Sequence, residues 1–322
     1  MPEHEPQVTP RPDGHSQSPV ASSPEFSASV VVLTHNRRDL LRRSLTSAFG
    51  QRVQPEVVVV DNGSKDGTPA MVRSDFPLAR LIALPENTGI RGRNLGVQAA
   101  RGEVVLTLDD DIELTNPDTL SRVLSTFRTI PSLGALSLKI CDGEEASTSS
   151  PAHWWHPCPA SSCEHLEFET DRITEAAVAF RRDLFLQVGG YLESLFWGAE
   201  EWDLALALID AGCQLHYLPE PVRHLAPRGS LDVQASARHA LLIRNRIWIA
   251  FRRLPLSNAA AFSMPRLLLW FLRSLRHGYF PQFAKGFLSL LVAIPEIAAS
   301  RKVISPRTQT KLRALRPKTS AF

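Results

Sequence analysis

The chain has 322 residues, of which 43% are hydrophobic and 21% are charged, a size that suits one large domain or two small ones. This composition excludes collagen-like, coiled-coil and wholly disordered proteins. The net charge of +3 conceals an asymmetry, because residues 1–222 carry 18 basic and 31 acidic side chains whereas residues 223–322 carry 18 basic and 2 acidic ones. The sequence therefore combines an acidic body with a basic C-terminal part.

The cysteine content and the N-terminus indicate the cellular compartment. Four cysteines are too few for a disulfide scaffold, and the N-terminus lacks the basic-then-apolar pattern of a signal peptide, so a reducing, cytoplasmic compartment is expected. The longest apolar stretches are interrupted by charged residues or proline before they reach the roughly 18–20 residues of a membrane-spanning helix. No transmembrane helix is predicted.

Residues 1–27 are rich in proline and serine and show no apolar period, which predicts a disordered leader. Short apolar runs then alternate with polar loops and helical segments. The runs predict strands at 29–33, 56–60, 81–84 and 103–108. Helices are predicted at 39–49, between the second and third strands up to about residue 74, and at 93–100. Strands that alternate with helices in this way indicate a parallel, Rossmann-like sheet.

Residues 142–172 break this alternation with a long segment rich in serine, proline, tryptophan and histidine, and such segments are usually functional or mobile. The segment contains residue types that bind zinc, although their spacing matches no standard zinc pattern, and a mobile acceptor loop explains the composition equally well. These residues are His153, His156, Cys158, Cys163 and His165. After the segment, a strand at 176–180, helices at 182–188 and 201–211, and a strand at 214–218 are predicted, followed by helices.

Polar residues follow three of the predicted strands, at Thr34-His35-Asn36, Asp61-Asn62 and Asp109-Asp110-Asp111. Ligands of open parallel sheets bind at the carboxyl ends of the strands, so the three groups are expected to meet in one pocket. Neither a Walker A sequence nor a G-x-G-x-x-G follows the first strand, which disfavours P-loop ATPases and Rossmann dehydrogenases.

Three consecutive carboxylates repel one another unless they are solvated or neutralised by a cation. In an extended segment Asp109 and Asp111 project to the same side, where both can approach one divalent ion. Hard oxygen ligands suit Mg²⁺ or Mn²⁺ bridging a diphosphate. A solvated acidic loop is the alternative interpretation.

Several short motifs follow one another in order along the chain: Val-Val-Leu-Thr-His-Asn-Arg (31–37), Val-Asp-Asn-Gly-Ser-Lys-Asp-Gly-Thr (60–68), Glu-Asn-Thr-Gly (86–89), Arg-Asn-Leu-Gly (93–96), Leu-Asp-Asp-Asp (108–111), Phe-Arg-Arg-Asp-Leu-Phe-Leu-Gln-Val-Gly-Gly-Tyr (180–191) and Trp-Gly-Ala-Glu-Glu-Trp-Asp-Leu (197–204). Together they resemble the inverting family 2 glycosyltransferases, over residues 29–225. The resemblance implies an α/β protein with the GT-A fold, a Rossmann-like, mostly parallel sheet flanked by helices, here with a C-terminal helical extension. It predicts a leader at 1–27, a GT-A domain at 28–225 and a basic extension at 226–322.

The resemblance implies roles for the strand-end residues. Thr34 and Asp61 match positions that hold the base and ribose of a nucleotide, and Arg93 matches a position near the diphosphate, where a guanidinium is well suited. Asp109 and Asp111 match the Asp-x-Asp motif that binds Mg²⁺ or Mn²⁺. The predicted nucleotide-sugar site comprises Thr34, Asn36, Arg37, Asp61, Asn62, Arg93, Asp109 and Asp110.

Inverting transfer needs a base that takes a proton from the acceptor hydroxyl. The family usually has Glu-Asp followed one residue later by Asp, whereas this chain has Glu200-Glu201-Trp202-Asp203. Glu201 is the predicted base, with Glu200 and Asp203 as competitors. Acidic residues also favour a first helical turn, so a helix start alone would explain them.

His224 matches a position that often supplies a further metal contact, although a lone histidine is equally compatible with a structural role. Trp197 and Trp202, beside the acidic residues, are candidates for a wall against a sugar, or core aromatics. The metal site is therefore predicted from Asp109, Asp111 and His224.

The extension at 226–322 mixes basic residues with long aliphatic runs, notably at 266–276 and 286–295, and ends in an acid-free basic segment. This mixture is typical of helices that lie on an anionic membrane surface. Helices packed on the catalytic domain, with a solvated tail, are the alternative. A nucleic-acid partner is disfavoured because no recognised binding module is present.

The sequence thus predicts a metal-dependent, inverting glycosyltransferase that uses a UDP-, dTDP- or GDP-sugar. The acceptor is expected to be a bacterial cell-surface glycan or a lipid-linked acceptor, with rhamnosyl transfer as one subclass. The expected location is cytoplasmic and peripheral, on the inner face of the plasma membrane. A nucleotidyltransferase of similar sheet architecture and a non-catalytic binding or scaffold protein are the alternatives.

Overall fold

The structure is a computed structural model that describes residues 27–143, 148–225 and 235–316. The predicted leader lies outside the described residues except for Ser27. The described strands are β1 (Ala28–Thr34), β2 (Glu56–Asp61), β3 (Arg80–Ala83), β4 (Val104–Asp109), β5 (Ile112–Leu114), β6 (Leu133–Asp142), β7 (Phe168–Thr170), β8 (Ala177–Arg181) and β9 (Gln214–His224).

Helices separate these strands and dominate the C-terminal part. They are α1 (Arg38–Phe49), α2 (Thr68–Asp75), α3 (Arg91–Ala99), α4 (Thr119–Thr129), α5 (Ala160–Cys163), α6 (Arg182–Gln187), α7 (Glu200–Asp210), α8 (Ala235–Arg253), α9 (Leu256–Arg276), α10 (Phe280–Val292), α11 (Ile294–Ala299) and α12 (Pro306–Leu315), with a 3₁₀ helix at Glu193–Leu195.

The strands form one mixed sheet in the order β3-β2-β1-β4-β8-β6-β9-β5, and β7 pairs with β9. The four N-terminal strands of this order are mutually parallel, as the alternation of strands and helices predicts. Beyond β4 the sheet changes direction, because β8 runs antiparallel to both β4 and β6. This mixed sheet with helices on both faces is the GT-A arrangement.

Alternate residues of the inner strands face two separate cores. Val31 and Val58 belong to the core that also contains the apolar residues of α3, α7 and α8, whereas Val30 and Val57 belong to the core beneath α1, α2 and α4. Strands buried on both faces explain the unbroken valine runs of β1 and β2.

Two parts of the sheet differ from the sequence analysis. No elements were predicted between 112 and 141, where the structure has β5, α4 and most of β6. The final strand was expected to end at Leu218, but β9 continues to His224 because its second half pairs with Lys139–Asp142 and with β5. A register shift between Leu138 and Lys139 lets β9 pass through its two prolines. The longer strand carries His224 to the acidic loop after β4.

Helix α3 packs on the sheet at unusually close range, and Gly96 makes this contact. A Cβ added to Gly96 would lie 2.4 Å from Cγ1 of Val31 and 3.0 Å from Cγ2 of Val60. We expect Gly96→Ala to destabilise the protein by roughly 1–3 kcal/mol through overpacking. Chemical denaturation will measure this loss, with Gln98→Ala on the exposed side of the same helix as control. Equal stability of the two variants would contradict the prediction.

The described C-terminal helices share a core with the sheet domain. Ile243, Ile247 and Trp248 of α8 pack in the same cluster as Leu204 and Leu208 of α7. Outside this contact, α9 and α10 leave apolar side chains exposed: Leu268, Leu269, Leu272, Leu275, Leu288, Leu291 and Val292. No described helix has an apolar stretch long enough to cross a membrane.

Candidate active site

The three aspartates at the end of β4 pair with two different arginines. Asp109 is the last residue of β4 and pairs with Arg93 of α3. Asp110 and Asp111 lie in the turn that follows, where Arg37 contacts both, at 3.2 Å from Asp110 and 2.5 Å from Asp111. The extended segment expected for 109–111 is therefore wrong, because a turn begins directly after Asp109.

The two buried aspartates have opposite pKa shifts. Burial raises the pKa of Asp110 to about 7, and the neighbouring charge of Asp111 adds to this rise while Arg37 opposes it. Burial also acts to raise the pKa of Asp111, but hydrogen bonding to His224 and attraction to Arg37 outweigh it and hold that pKa below its ordinary value. Asp111 is thus the stable anion of the turn.

The polar residues after β1 and β2 meet at the same edge of the sheet. Thr34 Oγ1 donates to Asp110 Oδ2 at 2.8 Å, and the buried Asp61 carboxylate accepts from the backbone N–H of Ser64. The Asn36 side chain accepts from the Lys65 backbone N–H at 2.7 Å. The strand-end residues of β1, β2 and β4 therefore lie together, as the parallel sheet requires.

Asn62 and Arg93 also lie at this edge of the sheet. Asn62 bonds through its side chain to Asn87, Thr88 and Gly89, which fixes the loop after β3. Arg93 is 3% exposed. Within the described part of the chain its Nε and Nη1 have no hydrogen-bond partner, while Nη2 pairs with Asp109. A buried guanidinium with unused donors is a favourable neighbour for an anion.

His224 lies between Asp111 and Asp142. Its Nε2 is 3.5 Å from Asp111 Oδ2, and its Nδ1 is 3.1 Å from Asp142 Oδ1. The hydrogen bond to Asp111 is the largest of several contributions that raise the pKa of His224. The His153 ring lies 4.9 Å from the His224 ring, measured between centroids.

This arrangement fits a divalent cation of the kind that the acidic motif implies. Ligand atoms of Asp142, His153 and His224 lie within 4.8 Å of one another, and Asp111 adds a charged oxygen at their edge. Carboxylate oxygens suit Mg²⁺ or Mn²⁺, whereas imidazole nitrogens are ligands of transition-metal ions, so of the two predicted ions Mn²⁺ fits this set better. Asp142 and His153 were not assigned to this site from sequence, because only the fold brings β6 and the 142–172 segment beside β9.

A second group of carboxylates lies at the start of α7. Ligand oxygens of Glu175, Glu200 and Glu201 lie within 4.8 Å of one another. Burial and the charge of Glu201 raise the pKa of Glu200 to about 7, and burial and the charge of Glu175 raise the pKa of Glu201 to about 8. Glu175 was missed by sequence reasoning, and an acidic residue at the start of an apolar strand was its only signal.

The backbone that leads into α7 is strained. Phe196 and Ala199 have φ values of 64° and 69°, in the left-handed region that non-glycine residues avoid. Asn245 of α8 holds this turn, since its side-chain amide donates to the carbonyl oxygens of Leu195, Trp197 and Gly198 within 3.0 Å. Backbone strain of this kind is often found at functional sites. Here the hydrogen bonds from Asn245, in the C-terminal part, hold the strained turn in place.

The remaining acidic candidate has a different environment. Asp203 is 1% exposed and accepts hydrogen bonds from both Arg252 and Arg253 at the end of α8. Asp203 therefore connects the sheet domain to α8.

The two candidate tryptophans also differ in their surroundings. Trp202 is partly buried against Phe262 of α9, with ring centroids 5.2 Å apart, whereas Trp197 is 37% exposed.

The cysteines and histidines of the 142–172 segment do not gather at one place in the described structure. Cys158 and Cys163 form a disulfide bond, while Cys141 and Cys213 are free and buried. His156 is buried among Trp154, Phe168 and Tyr217, where burial lowers its pKa to about 4. Among the described residues, these histidines and cysteines assemble no joint metal site.

The mixed sheet, with its acidic turn after β4, defines the chain as a GT-A protein. A mannosyltransferase from Pyrobaculum calidifontis, solved with GDP-Man and Mn²⁺, has a similar structure, with a TM-score of 0.56 and 21% identity, covering 90% of this chain and 84% of that one. The family model described as Glycosyl transferase family 2 matches residues 29–189. The chain belongs to glycosyltransferase family 2.

Curated relatives share parts of the sequence. The succinoglycan biosynthesis protein ExoO of Rhizobium meliloti (strain 1021) is 45% identical over 97 residues, which cover 29% of this chain and 28% of ExoO. The N-acetylglucosaminyl-diphospho-decaprenol L-rhamnosyltransferase of Mycobacterium tuberculosis is 27% identical over 232 residues, covering 61% of this chain and 76% of that protein. The match to ExoO thus spans about a quarter of that protein's length.

Proposed function

We propose that this protein is an inverting glycosyltransferase that moves a sugar from a nucleotide-sugar donor to a glycan or lipid-linked acceptor. The observation that carries the proposal is the position of Glu201. This buried carboxylate, with a pKa raised to about 8, lines a cavity, and Glu200 and Glu175 link it to the Arg93–Asp109 pair at the donor edge.

In the proposed reaction, the acceptor hydroxyl attacks the anomeric carbon while the bond from that carbon to the nucleoside diphosphate breaks. Glu201 takes the hydroxyl proton, and the diphosphate leaves with the bonding electrons. A base with a pKa near the working pH is suited to this transfer. Burial keeps the pKa of Glu201 high, and the charge of Glu175 beside it adds to this effect because neighbouring negative charge disfavours ionisation.

The donor is assigned to the edge formed by β1, β2 and β4. Thr34 and Asp61 would hold the nucleoside, while Arg37 and Arg93 supply positive charge for its diphosphate. Asn36, Asn62, Asp109 and Asp110 complete the proposed site, with Asn62 acting through the loop that it fixes.

The proposed metal site contains Asp111 and His224, with Asp142 and His153 beside them. Asp109, also predicted as a ligand, pairs with Arg93. A divalent cation held here supplies Lewis-acid stabilisation of the departing diphosphate. The Mn²⁺ of the Pyrobaculum calidifontis mannosyltransferase complex supports this choice of cation.

Binding of the donor tests the proposal directly. We expect a UDP-, dTDP- or GDP-sugar to raise the melting temperature in the presence of Mn²⁺, since a ligand at about 100 times its Kd stabilises the folded state by about 2.7 kcal/mol. Asp111→Asn should abolish the metal-dependent part of this shift. Thermal scans with each nucleotide sugar, with and without Mn²⁺, make the measurement, and no shift with any donor would contradict the proposed function.

The C-terminal extension is proposed to contact an anionic membrane surface from the cytoplasmic side. The exposed leucines of α9 and α10 lie among Arg273, Arg276 and Lys285, and residues 233–295 contain no acidic side chain. Apolar side chains beside basic ones match the boundary of a bilayer that contains anionic lipids. A lipid-linked acceptor, as in the name of the mycobacterial relative, would be reached at such a surface.

We expect the double variant Leu288→Gln/Val292→Gln to bind anionic vesicles at least roughly tenfold more weakly, because two exposed apolar side chains no longer enter the bilayer. Vesicle co-sedimentation measures this. Leu78→Gln, at a position 85% exposed in the sheet domain, is the matched control. Equal binding of wild type to neutral and anionic vesicles would argue against the membrane proposal.

A further inference from the structure

His224 lies at the end of β9, and the neighbouring strand β6 ends beside it. The two strands run parallel here, and Asp142, the last residue of β6, is the register partner of His224. Paired residues of adjacent strands project to the same face of the sheet. The register of the sheet therefore holds the Asp142 carboxylate next to the His224 ring.

The two ring nitrogens of His224 have different partners. Nδ1 lies 3.1 Å from Asp142 Oδ1, which is a hydrogen-bond distance, whereas Nε2 lies 3.5 Å from Asp111 Oδ2. An ionised carboxylate can only accept, so the Nδ1–H donates to Asp142. A neutral imidazole with its proton on Nδ1 has its lone pair on Nε2, the nitrogen that faces Asp111.

The space between Nε2 and Asp111 suits a positive charge. A lone pair that faces a carboxylate is repelled by it unless a cation lies between the two. The 3.5 Å separation also allows Nε2 and Oδ2 to ligate one ion, since ligand distances of about 2 Å place two ligand atoms up to about 4 Å apart. The Asp142 side of the ring is instead occupied by the shorter hydrogen bond.

Ser150 holds the Asp142 carboxylate in its turn. The Ser150 hydroxyl donates to Asp142 Oδ2 at 2.6 Å, and the Ser150 backbone N–H donates to the Ile140 carbonyl oxygen at 2.8 Å, which ties Ser150 to β6. Ser150 is 2% exposed. Short hydrogen bonds from hydroxyls to carboxylates are strong ones, so the orientation of the Asp142 carboxylate is fixed.

His153 supports Ser150. Its Nδ1 lies 3.1 Å from Ser150 Oγ, and because the single hydroxyl proton is donated to Asp142, Oγ accepts from the Nδ1–H of His153. The edge-on packing of the His153 ring against the His224 ring adds a second contact. The segment that breaks the alternation of strands and helices thus contributes Ser150 and His153 beside the metal site.

We propose that Asp142 is a positioning residue of the metal site: with Ser150 behind it, Asp142 fixes the tautomer and the ring orientation of His224, so that Nε2 faces the cation beside Asp111. This inference rests on the proposed function and adds residues outside the ligand set predicted from sequence. Replacing a carboxylate that accepts the second N–H of a ligating histidine costs about 10- to 100-fold in metal affinity.

The test titrates Mn²⁺ into the full chain and measures the free ion by electron paramagnetic resonance, first with Mn²⁺ alone and then with UDP, dTDP or GDP added. We expect Asp142→Asn to bind Mn²⁺ about 10- to 100-fold more weakly than wild type. Ser150→Ala, which removes no charge, should bind it roughly fivefold more weakly, the contribution of one hydrogen bond. Ser162→Ala, at an exposed position of the same segment, is the matched control and should bind Mn²⁺ like wild type.

The electron spin echo of bound Mn²⁺ provides a second readout, because a ligating imidazole nitrogen gives a ¹⁴N coupling. At saturating Mn²⁺, we expect Asp142→Asn to lose or weaken the coupling that His224→Gln removes. Melting temperatures measured without metal show that each variant is folded. A residue that only stabilises the fold would change the melting temperature and leave the ¹⁴N coupling of the bound ion intact.

Equal Mn²⁺ affinity of Asp142→Asn and wild type, or of Ser150→Ala and Ser162→Ala, would overturn the positioning role. Weaker affinity of Asp142→Asn with an unchanged ¹⁴N coupling would also overturn it, because Asp142 would then act as a ligand or through its charge alone. Failure of wild type to bind Mn²⁺ under any of these conditions would overturn the metal site and this inference together. Binding of Mn²⁺ without binding of any nucleoside diphosphate would count against the proposed function, while the variants would still test Asp142.

Discussion

Glu201→Gln is expected to lower sugar transfer by roughly 10²- to 10⁴-fold, the usual contribution of a positioned general base. The amide keeps the shape of the side chain but cannot accept the hydroxyl proton. Donor binding should persist, because the proposed nucleotide site lies at the β1–β4 edge. Initial rates of product formation and nucleotide-sugar titrations measure the two properties on the same preparation.

The matched variant is Glu201→Asp, which introduces the acid that the family usually has at this position. We expect it to retain far more activity than Glu201→Gln, since a carboxylate remains. Full activity of Glu201→Gln would contradict the role of the base and favour a nucleotidyltransferase, which needs no acid here. Donor binding without transfer by wild type, over a wide panel of acceptors, would favour a scaffold.

The pH dependence of transfer follows from the same residue. The pKa of Glu201 is raised to about 8, and only the deprotonated form accepts a proton. We therefore expect kcat/KM to rise with pH and to level off above about pH 8. A profile that is flat across this range in wild type would contradict the assignment.

The raised pKa also affects stability. The folded state binds the Glu201 proton more tightly than the unfolded chain, where the ordinary pKa is 4.5, so this contribution to stability is present at low pH and is lost as pH rises through about 8. Gln has no such proton. The melting temperature of Glu201→Gln should therefore gain on that of wild type between about pH 5 and about pH 8.

Asp203→Asn is expected to destabilise the protein by roughly 3–5 kcal/mol, because it leaves Arg252 and Arg253 buried without their counter-charge. Asp203 is 1% exposed, and the two arginines are 8% and 6% exposed. For a chain of this size the melting temperature should fall by roughly 10 °C. Differential scanning calorimetry measures the change.

Asp183→Asn is the control, since the Asp183 side chain is 92% exposed and lies 3.6 Å from Arg182. It should leave the melting temperature nearly unchanged. Below its melting temperature, folded Asp203→Asn should keep kcat/KM within about tenfold of wild type, because no reacting group has been removed. A large loss of activity with an unchanged melting temperature would identify Asp203 as the base instead.

The N-terminal half of the sheet could be predicted from sequence because its signals are local. Runs of β-branched residues predicted β1 and β2 to within two residues at each end, and polar residues after the strands located the ligand-binding edge. The elements between 112 and 141 gave weaker patterns, and the full extent of β9 depended on pairing with β6, which lies about eighty residues earlier in the chain.

The sequence by itself determined the family, the order of the first strands and the residue types of the site. Those features depend on short-range patterns, the alternation of strands and helices and motifs at fixed spacing. Only the tertiary structure decided which side chains meet. It paired Asp109 with Arg93, although Asp109 and Asp111 were expected to approach one metal ion together, and it brought Glu175 to Glu201. It also paired Asp203 with arginines of α8 and placed four arginines from distant segments around one cavity. These contacts join residues far apart along the chain, and burial and charge pairing select them only once the whole sheet and the C-terminal helices have packed.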